Sequence, residues 1–188
     1  EAQKRSDEDF VKEVKKLVGV KYTFLEKYDV GGKKIRAIHN ECGHIYNVEP
    51  RAFLEGNRCP KCRSSKGEVR IMDFLDSVGV GYIHQYRDVN CKNIRVLPFD
   101  FLVNHHDRKL IIEFDGEQHF KPVQIGRMSK EDAIKNYESQ VLRDNIKNDF
   151  CIENDIPMLR IPYWDYENVE EIVFDNLVNH SILEEVFV

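Results

Sequence analysis

No apolar run in this chain approaches the ~20 residues that a bilayer-spanning helix requires, so no membrane span is expected. The first residues, Glu1-Ala2-Gln3-Lys4-Arg5, lack the apolar stretch of a secretory leader. Cysteine is scarce and odd in number, five in 188 residues. Three of the five fall in a metal-like pattern, which argues against a disulfide framework and for reduced thiols in a cytosolic setting. Internal repeats and low-complexity tracts are also missing. An excess of positive charge is lacking too, the net charge being -5. What remains, 41% hydrophobic and 32% charged residues, is the balance of a globular chain.

The charge is unevenly spread. Between Lys33 and Arg70 there are nine Lys and Arg against four Glu, a local excess of +5, while the stretch after Asp165 is acidic. Local basic surface, not global charge, is what contact with phosphates requires.

Ser6 ahead of acidic residues, with Phe10, Val11, Val14 and Leu17 behind it, predicts a capped amphipathic helix ending near Gly19. Strand-like runs follow at 22–25 and 35–39, separated by the turn signal Gly31-Gly32. The segment 63–67 is a natural boundary, dividing the chain into 1–64, a helix plus a small Cys/His module, and 65–188, a core domain. Ser65 is placed to cap the core's first helix. The core reads as helix 68–78, strands 81–86, 98–103 and 109–115, a long helix 130–153, strand 158–161 and C-terminal helices. This order predicts an α/β fold with a central mixed sheet flanked by helices. The apolar positions after Trp164 (Val169, Ile172, Val173, Leu177, Ile182, Leu183) are expected to cover the sheet or to form a homodimer surface.

The module carries His39-x2-Cys42-x16-Cys59-x2-Cys62. Zinc takes four tetrahedral N or S ligands, and each two-residue gap lets a tight turn aim two of them at one ion. Gly43 and Pro60 suit such turns, with backbone N–H groups facing the thiolates. Four protein ligands make a closed, structural Zn2+ site. His44 is the competing fourth ligand, disfavoured by its one-residue gap from Cys42.

A second constellation lies in the core. Asp100 interrupts an apolar strand, and Glu113 and Asp115, two apart on another, share one face about 7 Å apart. Carboxylates emerging from apolar strands are costly unless a positive charge sits beside them. Hard oxygen donors select Mg2+ or Mn2+, so Asp100 with Glu113 or Asp115 is the expected metal pair. Glu68 heads the apolar stripe of Ile71, Met72 and Leu75, and Asp144 is read on a stripe with Ile134, Tyr137, Val141, Cys151 and Ile152. Both acids are thus expected to face the core. For each the plain alternative is a buried acid paired with a backbone group or with Arg160. His119, just after Gly116, is the expected general base, with Asp144 orienting it.

Two resemblances attach to these residues. The runs His39-Asn40-Glu41-Cys42-Gly43-His44, Pro50-Arg51-Ala52-Phe53-Leu54-Glu55-Gly56 and Arg58-Cys59-Pro60-Lys61-Cys62 resemble a zinc module of phage-encoded and mobile-element endonucleases. That likeness implies nucleic-acid contacts for Arg51, Arg58 and Lys61. The order Glu68, Asp100, Glu113 or Asp115, His119, Asp144 resembles the very-short-patch repair endonucleases and phage homing nucleases. These are a branch of the restriction-endonuclease-like, PD-(D/E)xK superfamily. The departure is at Glu113-Phe114-Asp115, where Glu-x-Lys is common, leaving His119 or Lys147 to replace the lysine. Gln85, on the preceding strand, is read as a half-exposed strand residue, with a place in the site as the lesser alternative.

The resemblance implies a Mg2+-dependent endodeoxyribonuclease acting on DNA phosphodiesters, in homing, restriction or nicking, in the cytoplasm of a bacterial or phage-infected host. The alternative is a zinc-containing nucleic-acid-binding protein with a nuclease-like fold and no catalysis.

Overall fold

A computed structural model describes residues 6–28 and 32–184. The N-terminal five residues and Gly31 of the expected turn lie outside that range. Contacts divide the chain into two compact units, Glu1–Ser65 and Lys66–Val188. Among the described residues no helix is long and apolar enough to cross a membrane.

The first unit opens with helix α1 (Asp7–Val18), capped by Ser6. The Ser6 hydroxyl accepts from the Asp9 N–H at 3.2 Å, and the Asp9 carboxylate accepts in return from the Ser6 N–H. Strands β1 (Tyr22–Phe24), β2 (Ile35–His39) and β3 (Ile45–Val48) form an antiparallel sheet in that order, followed by the short helix α2 (Pro50–Leu54). Phe10 and Val14 from α1, Ile35 and Ala37 from β2, Val48 and Phe53 make one small apolar core.

The second unit runs α3 (Lys66–Ser77), β4 (Tyr82–Lys92), β5 (Val96–His105), β6 (Arg108–Asp115), α4 (Lys130–Glu153), β7 (Met158–Pro162) and α5 (Val169–Asn179). Its sheet has the order β4-β5-β6-β7, antiparallel except for the parallel pair β6–β7. The fold is therefore α/β with a mixed four-stranded sheet. The run Leu110-Ile111-Ile112 shows how both faces are filled. Leu110 and Ile112 pack with Ile71, Met72 and Leu75 of α3 and with Val173 and Leu177 of α5. Ile111 packs on the other face with Phe150 and Cys151 of α4. The apolar positions after Trp164 thus cover the sheet.

Two departures from the sequence reading shape the site. The strand expected to end at Tyr86 continues to Lys92. The apolar stripe expected on α4 is displaced, because Ile134 is 48% and Ile152 77% exposed. The inward positions are Ala133, Tyr137, Gln140, Asp144, Lys147 and Cys151, at spacings of four and three, so polar groups occupy the middle of the core-facing stripe.

Helix α3 starts against β6 at Gly67. A Cβ there would lie 2.3 Å from two carbons of the Phe114 ring. Gly67→Ala is expected to lower stability by about 1–3 kcal/mol, the usual result of overpacking, read as a reduced melting temperature of the metal-free protein.

Candidate active site and metal centre

In the first unit β2 ends on His39, and the turn after it returns Cys42 toward the imidazole. Gly43 takes the left-handed backbone of that turn, φ 70°. His39 Nδ1 is 3.2 Å from the sulfurs of both Cys42 and Cys62, and the Cys42 and Cys59 sulfurs are 3.7 Å apart. All four ligand atoms lie within 4.8 Å of one another. A tetrahedral zinc ion, with bonds of about 2.0–2.3 Å, requires ligand separations of roughly 3.5–3.8 Å. The cluster fits that ion with slight expansion. His39 Nε2 faces the Glu41 carboxylate at 3.5 Å, the outer partner that commonly fixes a ligating ring. His44 stands outside the cluster, its ring against Tyr46.

The thiols show why a cation belongs here. Burial would raise the Cys42 thiol, but the His44 backbone N–H and the His39 ring bring it down to about 7. Burial and the neighbouring sulfurs push Cys62 up to about 12, and burial also raises Cys59, against the Cys62 N–H. Three thiolates cannot share so small a space without a metal. The backbone groups at His44 and Cys62 match the expected knuckle geometry.

The basic residues of this unit divide by what they touch. Arg58 donates to the Phe53 and Asn57 carbonyls and lies 4.4 Å over the Phe53 ring, so it braces α2. Arg51 pairs with Glu55 at 2.8 Å on the surface. Lys27, Lys33, Lys34, Arg36 and Glu26 line a cleft of about 350 Å³ together with Ile35 and Asn47, and Glu26 pairs with Arg36 there, leaving the lysines as its cationic lining.

In the second unit the site is a fork between β5 and β6. Their pairing runs from His105↔Arg108 to Phe101↔Ile112 and then stops. Side chains take over the next backbone bonds. Glu113 Oε1 accepts from the Asp100 N–H at 3.2 Å, and Asp100 Oδ2 accepts from the Phe114 N–H at 2.9 Å. Strand β5 changes face at this point: Leu97 and Phe99 pack toward α4, whereas Phe101 and Val103 pack toward α3. On β4, Gln85 lies between the pairs His84↔Phe101 and Tyr86↔Phe99 and has φ 54°. That local twist lets two successive side chains reach one acid, His84 Nε2 at 3.1 Å and Gln85 Nε2 at 3.4 Å from Glu68 Oε2. Gln85 therefore contacts the site residue Glu68, although it is exposed.

Asp100 is half-buried at the fork. Burial first, then the charges of Glu113 and Glu68, lift its carboxyl to about 7 against the pull of the Phe114 N–H. Glu113 is 2% exposed, and Lys147 Nζ grips its two oxygens at 2.9 and 2.8 Å. Burial nonetheless raises the Glu113 carboxyl, with Lys147 opposing.

Asp115, next on the same face, is held by Arg160 through two bonds of 2.7 Å. The same guanidinium reaches Asp144 at 3.0 Å. Asp144 Oδ2 lies 2.8 Å from His119 Nδ1, and Gln140 Nε2 donates to the other Asp144 oxygen at 3.1 Å. Burial works against the Asp144 anion, but His119 and Arg160 outweigh it and hold the carboxyl at about 2. In the tautomer that donates Nδ1–H to that anion, Nε2 is left to accept a proton; Gln140 Nε2 and Arg160 Nη2 also lie 3.1 and 3.3 Å from Nδ1. Of the two acids for which pairing with Arg160 is the plain alternative, Asp144 makes that contact and Glu68 meets His84 and Gln85 instead, while Arg160 also holds Asp115.

The five expected acids and His119 thus fall into two groups joined along β6: Glu68, Asp100 and Glu113 with Lys147, then Asp115, His119 and Asp144 with Arg160. The carboxylates are more widely spread than the Cys/His cluster, which among the described residues is the one group of three or more such side chains with ligand atoms all within 4.8 Å of one another. Gln140 went unassigned in the sequence, although its spacing from Asp144 places both on one helix face. Beyond His119, Phe120, Tyr163 and Trp164 form a partly exposed aromatic cluster, with Phe120 and Trp164 centroids 4.4 Å apart. Comparison with protein-family models, curated proteins and solved structures finds no match to this chain.

Proposed function

We propose that this protein is a metal-dependent DNA endonuclease of the restriction-endonuclease-like type, with a structural zinc unit that helps to hold the nucleic acid. The observation that carries the reading is the fork: the half-buried Asp100 and the buried Glu113 meet where the β5–β6 ladder opens, and Asp115, two positions further along the same face of β6, lies 3.4 Å from the Asp144-bound His119 in the turn that follows. Asp100 and Glu113 are the expected ligands for Mg2+ or Mn2+, with Glu68 in the surrounding shell. The lifted Asp100 carboxyl supports that fit, since a crowded set of buried acids gains most from a divalent cation. Such an ion would polarise the phosphodiester and lower the pKa of a bound water. Asp115 has a different task, because its oxygens already serve Arg160. His119 Nε2 accepts the proton of the attacking water, while Asp144 fixes the ring and stabilises the imidazolium that forms. The aromatic cluster beside His119 offers faces on which bases can stack.

A second reading rests on a specific observation, the direct neutralisation of Glu113 by Lys147 and of Asp115 by Arg160. In it these are plain core ion pairs in a nucleic-acid-binding protein without catalysis. Supercoiled plasmid with Mg2+ separates the two, with single-stranded RNA as a parallel substrate. Nicking of DNA that vanishes in Asp100→Asn supports the enzyme. Equal nicking in both proteins means contamination and defeats it.

The zinc unit's phosphate contacts are assigned chiefly to Lys33 and Lys34, since Arg58 is spent inside the unit; Arg51 and Lys61 remain lesser candidates. Each phosphate contact adds about 0.9 to the slope of log affinity against log salt. Lys33→Glu/Lys34→Glu is expected to weaken DNA binding at low salt and to flatten that slope by nearly two. An unchanged slope moves the contact elsewhere.

A further inference from the structure

Lys147 is not a surface lysine that has reached inward. It stands on the core-facing stripe of α4, three residues after Asp144 and four before Cys151, and is 8% exposed. Its ammonium lies 5.3 Å from the centroid of the Phe99 ring and meets both oxygens of Glu113, at 2.9 and 2.8 Å. Glu113 Oε1 also accepts the Asp100 N–H, so three hydrogen bonds from two donor groups already converge on this one carboxylate. The grip takes both oxygens of a residue that the proposed function needs as a metal ligand, and the role assigned to Lys147 rests on that function.

We propose that Lys147 is a built-in counter-ion that closes the metal site in the absence of a divalent cation and must yield a Glu113 oxygen when the cation binds. The physical case has three parts. A buried carboxylate left without a positive partner is strongly destabilising, so the metal-free protein needs a cation at this point. Two cations cannot both engage the full carboxylate at bonding distance without repulsion in a medium of low dielectric. An ammonium on a flexible four-carbon stem can withdraw by rotation, which the planar fork of an arginine does poorly. The contrast lies next door. Asp115 is held by Arg160 in two parallel bonds, a fixed structural pair, whereas Glu113, the acid assigned to the metal, is held by a lysine. Lys147 thereby sets metal affinity: each binding event carries the cost of releasing the resident ammonium.

Mn2+ titration of the full-length, zinc-loaded protein by calorimetry tests this. Lys147→Met is expected to bind Mn2+ at least tenfold more tightly than wild type. Its melting temperature should fall in chelator and recover with Mn2+ by more than the wild type gains. Mn2+ affinity equal to or below wild type in both Lys147→Met and Lys147→Gln overturns the proposal. Should both variants fail to fold, the wild type gives the answer by itself: Mg2+ should accelerate amine-selective labelling of Lys147, read by mass spectrometry, and an unchanged rate overturns the proposal. Asp100→Asn tests the underlying reading separately. Wild-type Mn2+ affinity in that variant means the ion binds elsewhere, and the metal-site assignment then fails whatever Lys147 does.

Discussion

Asp100→Asn is expected to lower Mg2+-dependent nicking by about three orders of magnitude while leaving the chain folded. The size follows from the role: removing one fixed electrostatic group that acts on the transition state typically costs 10²–10³-fold, and a lost metal ligand lies at the upper end. The intact fold follows from the geometry. Asp100 Oδ2 accepts the Phe114 N–H at 2.9 Å, and an asparagine oxygen accepts the same bond. The substitution also removes a carboxyl that burial, Glu113 and Glu68 lift to about 7. An acid whose folded pKa is raised contributes stability below its unfolded pKa and loses it as pH rises through the folded value. In chelator the wild type is therefore expected to lose stability relative to Asp100→Asn between about pH 4 and 7, and to melt lower than the variant above that range. His119→Ala should lose activity by about 10²–10⁴-fold, the usual contribution of a general base, without weakening Mn2+ binding. That split between metal affinity and rate separates ligand from base. Parallel loss of both in His119→Ala would place the imidazole on the metal.

Several site positions were legible because local pattern and tertiary placement agree. Helix α4 spans the expected range, Lys130–Glu153, and in the structure its first turn is capped by Ser129, whose side chain accepts the Asp132 N–H. Glu68 is placed by Ile71, Met72 and Leu75, all buried. Glu113 and Asp115 share a face because strand side chains alternate, and Glu113 emerges beside Ile112 and Phe114, whose contacts lie on the other side. What escaped the sequence escaped for physical reasons. Asp144 faces inward with Tyr137 and Cys151 as expected, but the same stripe of α4 carries Gln140 and Lys147, polar positions that no hydrophobic periodicity betrays, while Ile134 and Ile152, expected on it, are exposed. The far end of β4 was hidden because residues 87–92 are mostly polar and their alternation breaks at Val89 and Asn90, both exposed, where the register with β5 shifts. The face change of β5 at Asp100 arises from partners 13 and 14 residues away, which no local window contains. Arg58 illustrates the same limit in the first unit. Its charge was legible, but its commitment to the Phe53 carbonyl and ring belongs to the folded α2 turn.

Zinc removal is expected to unfold the first unit and leave the second standing. Among the described residues the apolar core of the first unit has six buried side chains, Phe10, Val14, Ile35, Ala37, Val48 and Phe53, with partly buried Val18, Tyr22, Phe24, Tyr28, Tyr46 and Leu54 against them, and a core of this size rarely supports a fold without a staple. Structural zinc contributes roughly 10–16 kcal/mol of apparent binding energy at neutral pH in small modules, more than such a core can replace. The ligands also tie the sequence together, since His39 closes β2 while Cys59 and Cys62 lie beyond α2. Without the ion, three crowded thiols must share the space as mostly protonated groups, with Cys62 lifted to about 12. Hydrogen exchange under a strong chelator should therefore erase protection at residues 35–39 and 45–48 of β2 and β3, with protection in β5 and β6 retained. Cys59→Ser should reproduce that pattern and lower the zinc content from about one ion per chain to well below it. Cys91→Ser, which alters a buried thiol of the second unit, should keep its zinc. Full zinc content in Cys59→Ser would mean that another donor completes the shell. The nearest rival by sequence, His44, would have to leave its stack on Tyr46 to do so, so a second substitution, His44→Ala, would then have to release the metal.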